Sequence, residues 1–357
     1  MKKITILLLI LSGSVIVKAQ DFGQIIAGSL PDANKYAGAY LQPFGEGEIY
    51  NLSRGWYSTA RAHKFLGFDI SINVQAAIVP TEKQSFVFNN ADYNTFKLHG
   101  GASSASLPTF VGSGTSTQQI DVTTTANVNG QSQTVTTNFT APTGIGDDFK
   151  KNISFVPVSV PLPVAQIGIG LFKHTDLKVR YFPKTDFSNV SIGVFGVALQ
   201  HEFSKYLPFI KKVPFLHLSA LAGYSRIDAN YKPKFDQNSS VQSTNAVAGY
   251  NISAFTLQGI ASVKFSLLEL YTSVGYSTGK SDINLTGDYT ITYNTGYPPP
   301  NDKVTAHQKD PVALSYTAGG ITNTWGIRLN LTILKVYADY TFAKYNGVGV
   351  GIALALR

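Results

Sequence analysis

The sequence predicts an all-β protein: a transmembrane, antiparallel up-and-down β-barrel of about twelve strands (range 10–14), with a short N-terminal helical or plug segment. Three observations predict it. Charged residues make up only 14% of the 357, while aromatics reach 12% and there are 32 glycines; an ordinary soluble domain carries roughly 25% charge. Beyond residue 60 the hydrophobic period is two rather than 3.6. Short and long connections alternate along the chain, as they do where short periplasmic turns face long outer loops.

The elements follow in order. Residues 1–19 have the layout of a secretory signal peptide: Lys2 and Lys3, an apolar core from Ile4 to Ile10, and Val17-Lys18-Ala19 as a cleavage site. Without them the chain holds 26 Lys and Arg against 21 Asp and Glu. That excess is too small and too scattered to point to nucleic acid. No later run reaches the roughly 18 apolar residues of a spanning helix. Residues 20–45 read as a periplasmic or plug segment. Leu30, Ala33, Ala37 and Leu41 fall at helical spacing after Pro31, which suits a short helix at or inside the periplasmic mouth, or a linker. The barrel is assigned to 46–357.

Two weak strands are expected near 46–58 and 84–97. Ten strong ones follow from alternation. In Leu66–Ile78 every even residue is apolar and every odd one is small or polar. The others lie near 165–171, 177–181, 188–203, 216–225, 255–265, 268–277, 321–333, 336–342 and 348–356. In 188–203 the apolar phase slips after Val194, which predicts a β-bulge there. Residues 98–161 read as a long extracellular loop carrying a hairpin, 118–140, turned at Asn129-Gly130.

A soluble sandwich also alternates. Here the strands are long, their apolar faces often end in an aromatic, and their other faces carry ions at mid-strand. A sandwich core could not hold those ions. Asp69, Asn73, Gln75, Lys178, Arg180, Lys264, Glu269, Arg328 and Asp339 are therefore expected to point into the lumen. Lys or Arg facing lipid at the bilayer midplane would cost roughly 2–4 kcal/mol.

Chemical motifs are sparse. With no cysteine, thiolate metal sites and thiol catalysis are excluded. Gly275 to Ser281 is one residue short of a phosphate loop. Ser277-Thr-Gly-Lys280 lacks the partner motifs of a penicillin-recognising enzyme. The six histidines are far apart. No catalytic residue, metal or cofactor is expected, and the protein is not expected to be an enzyme.

Tyr36-Ala-Gly-Ala-Tyr-Leu-Gln-Pro-Phe-Gly45, Gly55-Trp56-Tyr57-Ser-Thr-Ala60, His63-Lys-Phe-Leu-Gly-Phe-Asp69 and the link 201–214 resemble an uncharacterised family of Bacteroidetes outer-membrane barrels. That family is in turn similar to the long-chain fatty-acid (FadL-like) transporters. The resemblance implies an outer-membrane location in a Gram-negative cell. It also implies passive passage of small hydrophobic molecules through a barrel partly filled by its N-terminal segment. The alternative is a non-conducting structural barrel acting through its extracellular loops. Expected partners are outer-membrane lipid, the outer-membrane assembly machinery and small hydrophobic solutes, with no nucleic acid.

Overall fold

A computed structural model describes residues 25–356, except 27, 113, 115, 129–130, 148–158, 209, 234, 236–239, 295–297 and 300. The predicted signal peptide, residues 20–24 and the Asn129-Gly130 turn lie outside the described residues.

Among the described residues a long helix, α1 (Leu30–Ser53), precedes sixteen strands. These are β1 (Phe68–Ile78), β2 (Ser85–Asn89), β3 (Phe96–Leu98), β4 (Ser104–Pro108), β5 (Gln119–Val128), β6 (Gln131–Thr140), β7 (Ser159–Gly170) and β8 (Thr175–Phe187). They continue as β9 (Val190–Glu202), β10 (Leu216–Tyr231), β11 (Val241–Phe265), β12 (Leu268–Asn294), β13 (Lys303–Lys309), β14 (Val312–Leu331), β15 (Leu334–Phe342) and β16 (Gly347–Leu356). Ten of them close a ring in the order β1, β7, β8, β9, β10, β11, β12, β14, β15, β16. The last strand returns antiparallel to the first, Phe68 opposite Leu356 and Ala77 opposite Gly347. These ten are the ten strongly alternating runs.

The two weak runs are not in the ring. Residues 46–53 are the last two turns of α1. Their helical period is hidden because the helix is buried on nearly every face. Residues 84–97 contribute β2 and β3 to two small sheets, β2–β4 and β3–β5–β6. With α1 and the upper end of β12, these sheets form a cap over the long-loop end. Its core is aromatic: Tyr36, Tyr40, Phe88, Phe96, Phe110 and Phe139.

The ring is turned inside out relative to a soluble protein. Ile70, Ile72, Ile167, Leu199, Leu257, Val274, Ile327 and Ile352 are exposed, whereas Ser71, Asn73, Gln75, Gln166, Gln200, Ser219, Gln258 and Thr322 are buried. Only a lipid solvent stabilises such an exterior, and ring closure leaves no edge to desolvate. The fold is a transmembrane β-barrel.

The wall has one break. Beside β8, β7 is paired only from Ile167 opposite Val179 to Gly170 opposite Asp176. Yet β7 pairs with β1 as far as Ser159, and β8 with β9 as far as Phe187. Among the described residues, β7 from Ser159 to Gln166 therefore faces β8 from Arg180 to Phe187 without a ladder. Pro161, Pro163 and Pro183 explain the break, since each lacks an N–H. Continuing the register would set Pro163 opposite Pro183. The irregularity predicted near Val194 lies on the neighbouring strand instead, between Phe182 and Thr185. β9 itself keeps an unbroken register with β10. Its apolar phase slips because Ile192 and Val194 turn inward to pack beside Ile49, Leu52, Leu162 and Val164.

Candidate functional site in the filled lumen

Helix α1 starts at the long-loop end. Pro31 occupies its first turn, and the Ser29 side chain accepts from the Asp32 amide. Asn34 ties it to the wall, accepting from the Ala313 amide at 2.8 Å and donating to the Pro311 carbonyl at 2.9 Å. At about 1.5 Å per residue its 24 residues run some 36 Å, which carries the chain deep into the ring. Gly45 permits the closest approach, since a Cβ there would stand 2.5 Å from the Tyr316 ring. The helix thus enters from the long-loop end. The expectation for this segment is a short helix at or inside the periplasmic mouth, or a linker; a helix lies inside the ring.

After Ser53 the chain is extended and has no ladder of its own, so its backbone groups need other partners. The wall supplies them. Arg180 donates to the Leu52 carbonyl at 3.0 Å and the Arg54 carbonyl at 2.6 Å. Trp56 lies against the same guanidinium, 3.5 Å from ring centroid to carbon. Its carbonyl accepts from Lys178 at 2.8 Å and Gln166 at 3.2 Å. The indole fits because Gly196 and Gly223 line its slot; a Cβ on either would be 3.1 Å from the ring. Gln200 donates to the Thr59 carbonyl at 2.9 Å, and the Ala60 amide donates to Ser262 Oγ at 3.1 Å. The Ala62 amide donates to Glu202 at 2.9 Å, and the His63 amide to Asp176 at 2.9 Å. Thr59 donates to Glu269, and Arg328 donates to Ser58 at 3.0 Å.

Of the nine residues expected to face the lumen, Asn73, Gln75, Lys178, Arg180, Glu269 and Arg328 are buried. Lys178, Arg180, Glu269 and Arg328 grip the threaded segment directly. Asn73 donates to the Gly55 carbonyl at 3.3 Å, and Gln75 donates to Asn73 at 3.4 Å. Gly55 has φ +73°, and a Cβ would collide with the Asn73 amide, so only glycine fits that bend. Asp339 accepts from the Tyr271 hydroxyl at 2.8 Å. Asp69 is half-buried, 3.7 Å from His63 Nε2. Lys264 stands apart, half-exposed at the short-turn end of β11. The residues that sequence reasoning missed are Trp56, His63, Gln166, Asp176, Gln200, Glu202 and Ser262. All the strand members among them share the polar parity of their strands, which was the available signal.

A cavity of about 20 Å³ lies between Arg54, Tyr57, Gln258 and Asp339, room for roughly one water. His63 Nδ1 is 2.9 Å from Asp176, but its Nε2 faces the Asp69 carboxylate rather than a hydroxyl nucleophile. Among the described residues no group of three or more His, Asp and Glu could hold a metal ion.

Comparison with known proteins yields a family. No curated protein matches the chain. Similar solved structures include Ail, the attachment invasion locus protein of Yersinia pestis, at 7% identity and TM-score 0.25, covering 82% of this chain and 100% of that one. The outer membrane protease OmpT from Escherichia coli is similar at 10% identity and TM-score 0.26, covering 83% and 97%. The outer membrane channel DcaP of Acinetobacter baumannii is similar at 9% identity and TM-score 0.18, covering 85% and 99%. At such scores these likenesses carry no functional argument. The family of unknown function DUF6588 matches over residues 1–356, and the chain belongs to it.

Proposed function

We propose that the protein is an outer-membrane barrel that exchanges small hydrophobic molecules with the bilayer through its wall, at the β7–β8 seam, rather than along its axis. The observation that carries this reading is the unpaired seam beside a filled lumen. The axis is occupied by α1 and the threaded segment, which disfavours free diffusion of polar solutes. An apolar cluster lies on the inner side beside the seam, with Leu162 and Val164 on β7 and Ile192 and Val194 on β9. The resemblance to fatty-acid transporters and the signal-like first residues agree with this location and solute class.

The experiment is uptake of a fluorescent fatty-acid analogue into proteoliposomes. Cysteines replacing Pro163 and Pro183 would be bridged by a bifunctional maleimide, in a chain that has no cysteine of its own. Uptake should fall at least tenfold on bridging and recover with a cleavable linker. Uptake unchanged by the bridge would overturn the seam as the route.

A second reading has its own support. The cap holds an aromatic core independent of the lumen, which suits a non-conducting scaffold that acts through its loops. Absence of uptake both with and without the bridge would favour it.

A further inference from the structure

The short-turn end carries a patch that neither the plug nor the seam uses. Leu66 donates its amide to the Gly170 carbonyl at 2.9 Å, which brings the lead-in to β1 against the turn 171–175. Phe65 and Phe172 stack there with centroids 4.2 Å apart, yet Phe65 is 52% exposed, Leu66 68% and Phe172 72%. The Tyr206 hydroxyl donates to the Lys173 carbonyl at 3.1 Å, adding the link 203–215 to the same arc. Leu66, Lys173 and His174 all have positive φ without being glycine. Sparsely populated backbone of this kind persists only where the surroundings enforce it, and here it accompanies aromatic and basic side chains directed outward.

The charges at this end are segregated. Lys64, Lys173, Lys205 and Lys212 are exposed. The carboxylates nearby are turned inward: Asp176 is bound by His63, Glu202 by Ala62, Ser204 and His217, and Glu269 by Thr59 and Asn330. Among the described residues of this end, no exposed acid offsets the four lysines. The long-loop end is mixed, with Glu82, Asp92, Asp186, Asp288 and Asp310 exposed beside Lys35, Lys97, Lys184, Lys303 and Lys309.

Exposed aromatics and unopposed lysines at one level mark the boundary between acyl chains and anionic headgroups. We infer that the arc formed by residues 64–66, 171–174, 205–208, 210 and 212–215 is a binding site for an anionic phospholipid of the leaflet on the short-turn side. Phe65, Leu66 and Phe172 meet the glycerol and upper acyl region, and the four lysines meet the phosphate. This site does not depend on the seam being a route.

The test is lipid retention by the full-length protein purified in mild detergent and read by native mass spectrometry. Equal phosphatidylglycerol and phosphatidylcholine are supplied. Wild type should retain phosphatidylglycerol preferentially, and less of it as salt rises. A Lys64→Gln, Lys173→Gln, Lys205→Gln, Lys212→Gln variant should lose the preference by tenfold or more. The corresponding four-Arg variant should keep it, which separates charge from folding. Substituting Lys35, Lys303 and Lys309 by Gln at the other end should leave it unchanged. No preference in wild type, or an equal preference in the four-Gln variant that still migrates as a heat-modifiable barrel, would overturn the site. So would lysine-dependent binding to peptidoglycan sacculi without lipid preference, which would assign the patch to the cell wall.

Discussion

Trp56 is the residue through which the plug can be loosened most selectively. It is buried between Gly196 and Gly223 with the Arg180 guanidinium on its face. Trp56→Ala removes the indole and leaves a hole that the β9 and β10 backbones cannot close. Large aromatic truncations in packed interiors cost about 3–5 kcal/mol. The desolvated cation–π contact, about 2 kcal/mol by itself, falls within that total because the two effects share atoms. The carbonyl contacts of Trp56 to Lys178 and Gln166 survive, since alanine keeps them. At 1.4 kcal/mol per decade, the unseated fraction of segment 54–66 should rise by about two to three and a half decades. The ring should persist, because its ladders do not involve Trp56. The assay is hydrogen exchange of residues 54–66 in detergent, with heat-modifiable migration as the control for the ring. The chain's other tryptophan, Trp325, is 59% exposed on the outer face, so its quenching by brominated lipid checks that the wall is intact. A change of less than threefold in the exchange of 54–66, with the wall intact, would refute the view that this slot holds the plug.

Three further outcomes are expected. Lys35→Cys, near the start of α1, should react with an impermeant maleimide on intact cells, as should a cysteine replacing Thr136 in the cap, while Lys205→Cys should not; the reverse pattern would invert the barrel. Cysteines replacing Ile72 and Ile327 should take lipid-phase labels, and those replacing Asn73 and Arg328 should be reached only after the plug is loosened by Trp56→Ala. In the cap, burial opposes the Asp32 charge, but the Thr95 hydroxyl and the Thr95 and Asn94 amides donate to it and hold its carboxyl below the ordinary value of 3.8. A lowered carboxyl stabilises the cap above the ordinary value and loses that contribution as pH falls through the lower folded value. Exchange protection of residues 94–98 should thus be flat near neutrality and fall below about pH 4, and Asp32→Asn should lack the acid-dependent step.

What could be read from the sequence was the wall. A strand with lipid on one side and a polar lumen on the other must alternate, and the ring strands do apart from the inward slips in β7 and β9, from Ile70 and Ile72 against Ser71 and Asn73 to the aliphatics of β16 against Gly349 and Gly351. The filling of the lumen was far less legible. Residues 46–53 sit in a chamber that is polar in places and apolar in others. Glu46, Glu48, Ile49 and Tyr50 are all buried, so no amphipathic stripe betrays the helix. The seam was written in Pro161, Pro163 and Pro183, but a proline in a strand is equally consistent with an edge or a bulge until its neighbour is known. The grip on segment 54–63 depends on residues up to 291 positions apart, as Tyr345 is from Arg54, and no local pattern encodes such pairs.

The position of the plug in the chain has a consequence for biogenesis. Residues 28–66 immediately precede β1, and β1 is the strand that β16 must find to finish the barrel. Closing that junction joins the two ring strands farthest apart in sequence, Phe68 to Leu356, a high-contact-order step expected to come late. Once it is made, a 24-residue helix has no side door wide enough to enter by. The helix is therefore expected to lie inside an open, curling sheet before the final pairing. Helix and threaded segment together would serve as a mandrel on which the wall is wrapped, with the Leu52 and Arg54 carbonyls accepting from Arg180 and the Trp56 carbonyl from Lys178. A chain that closed around nothing would seal those cations against an empty interior. Correct insertion and correct closure are thereby made the same event.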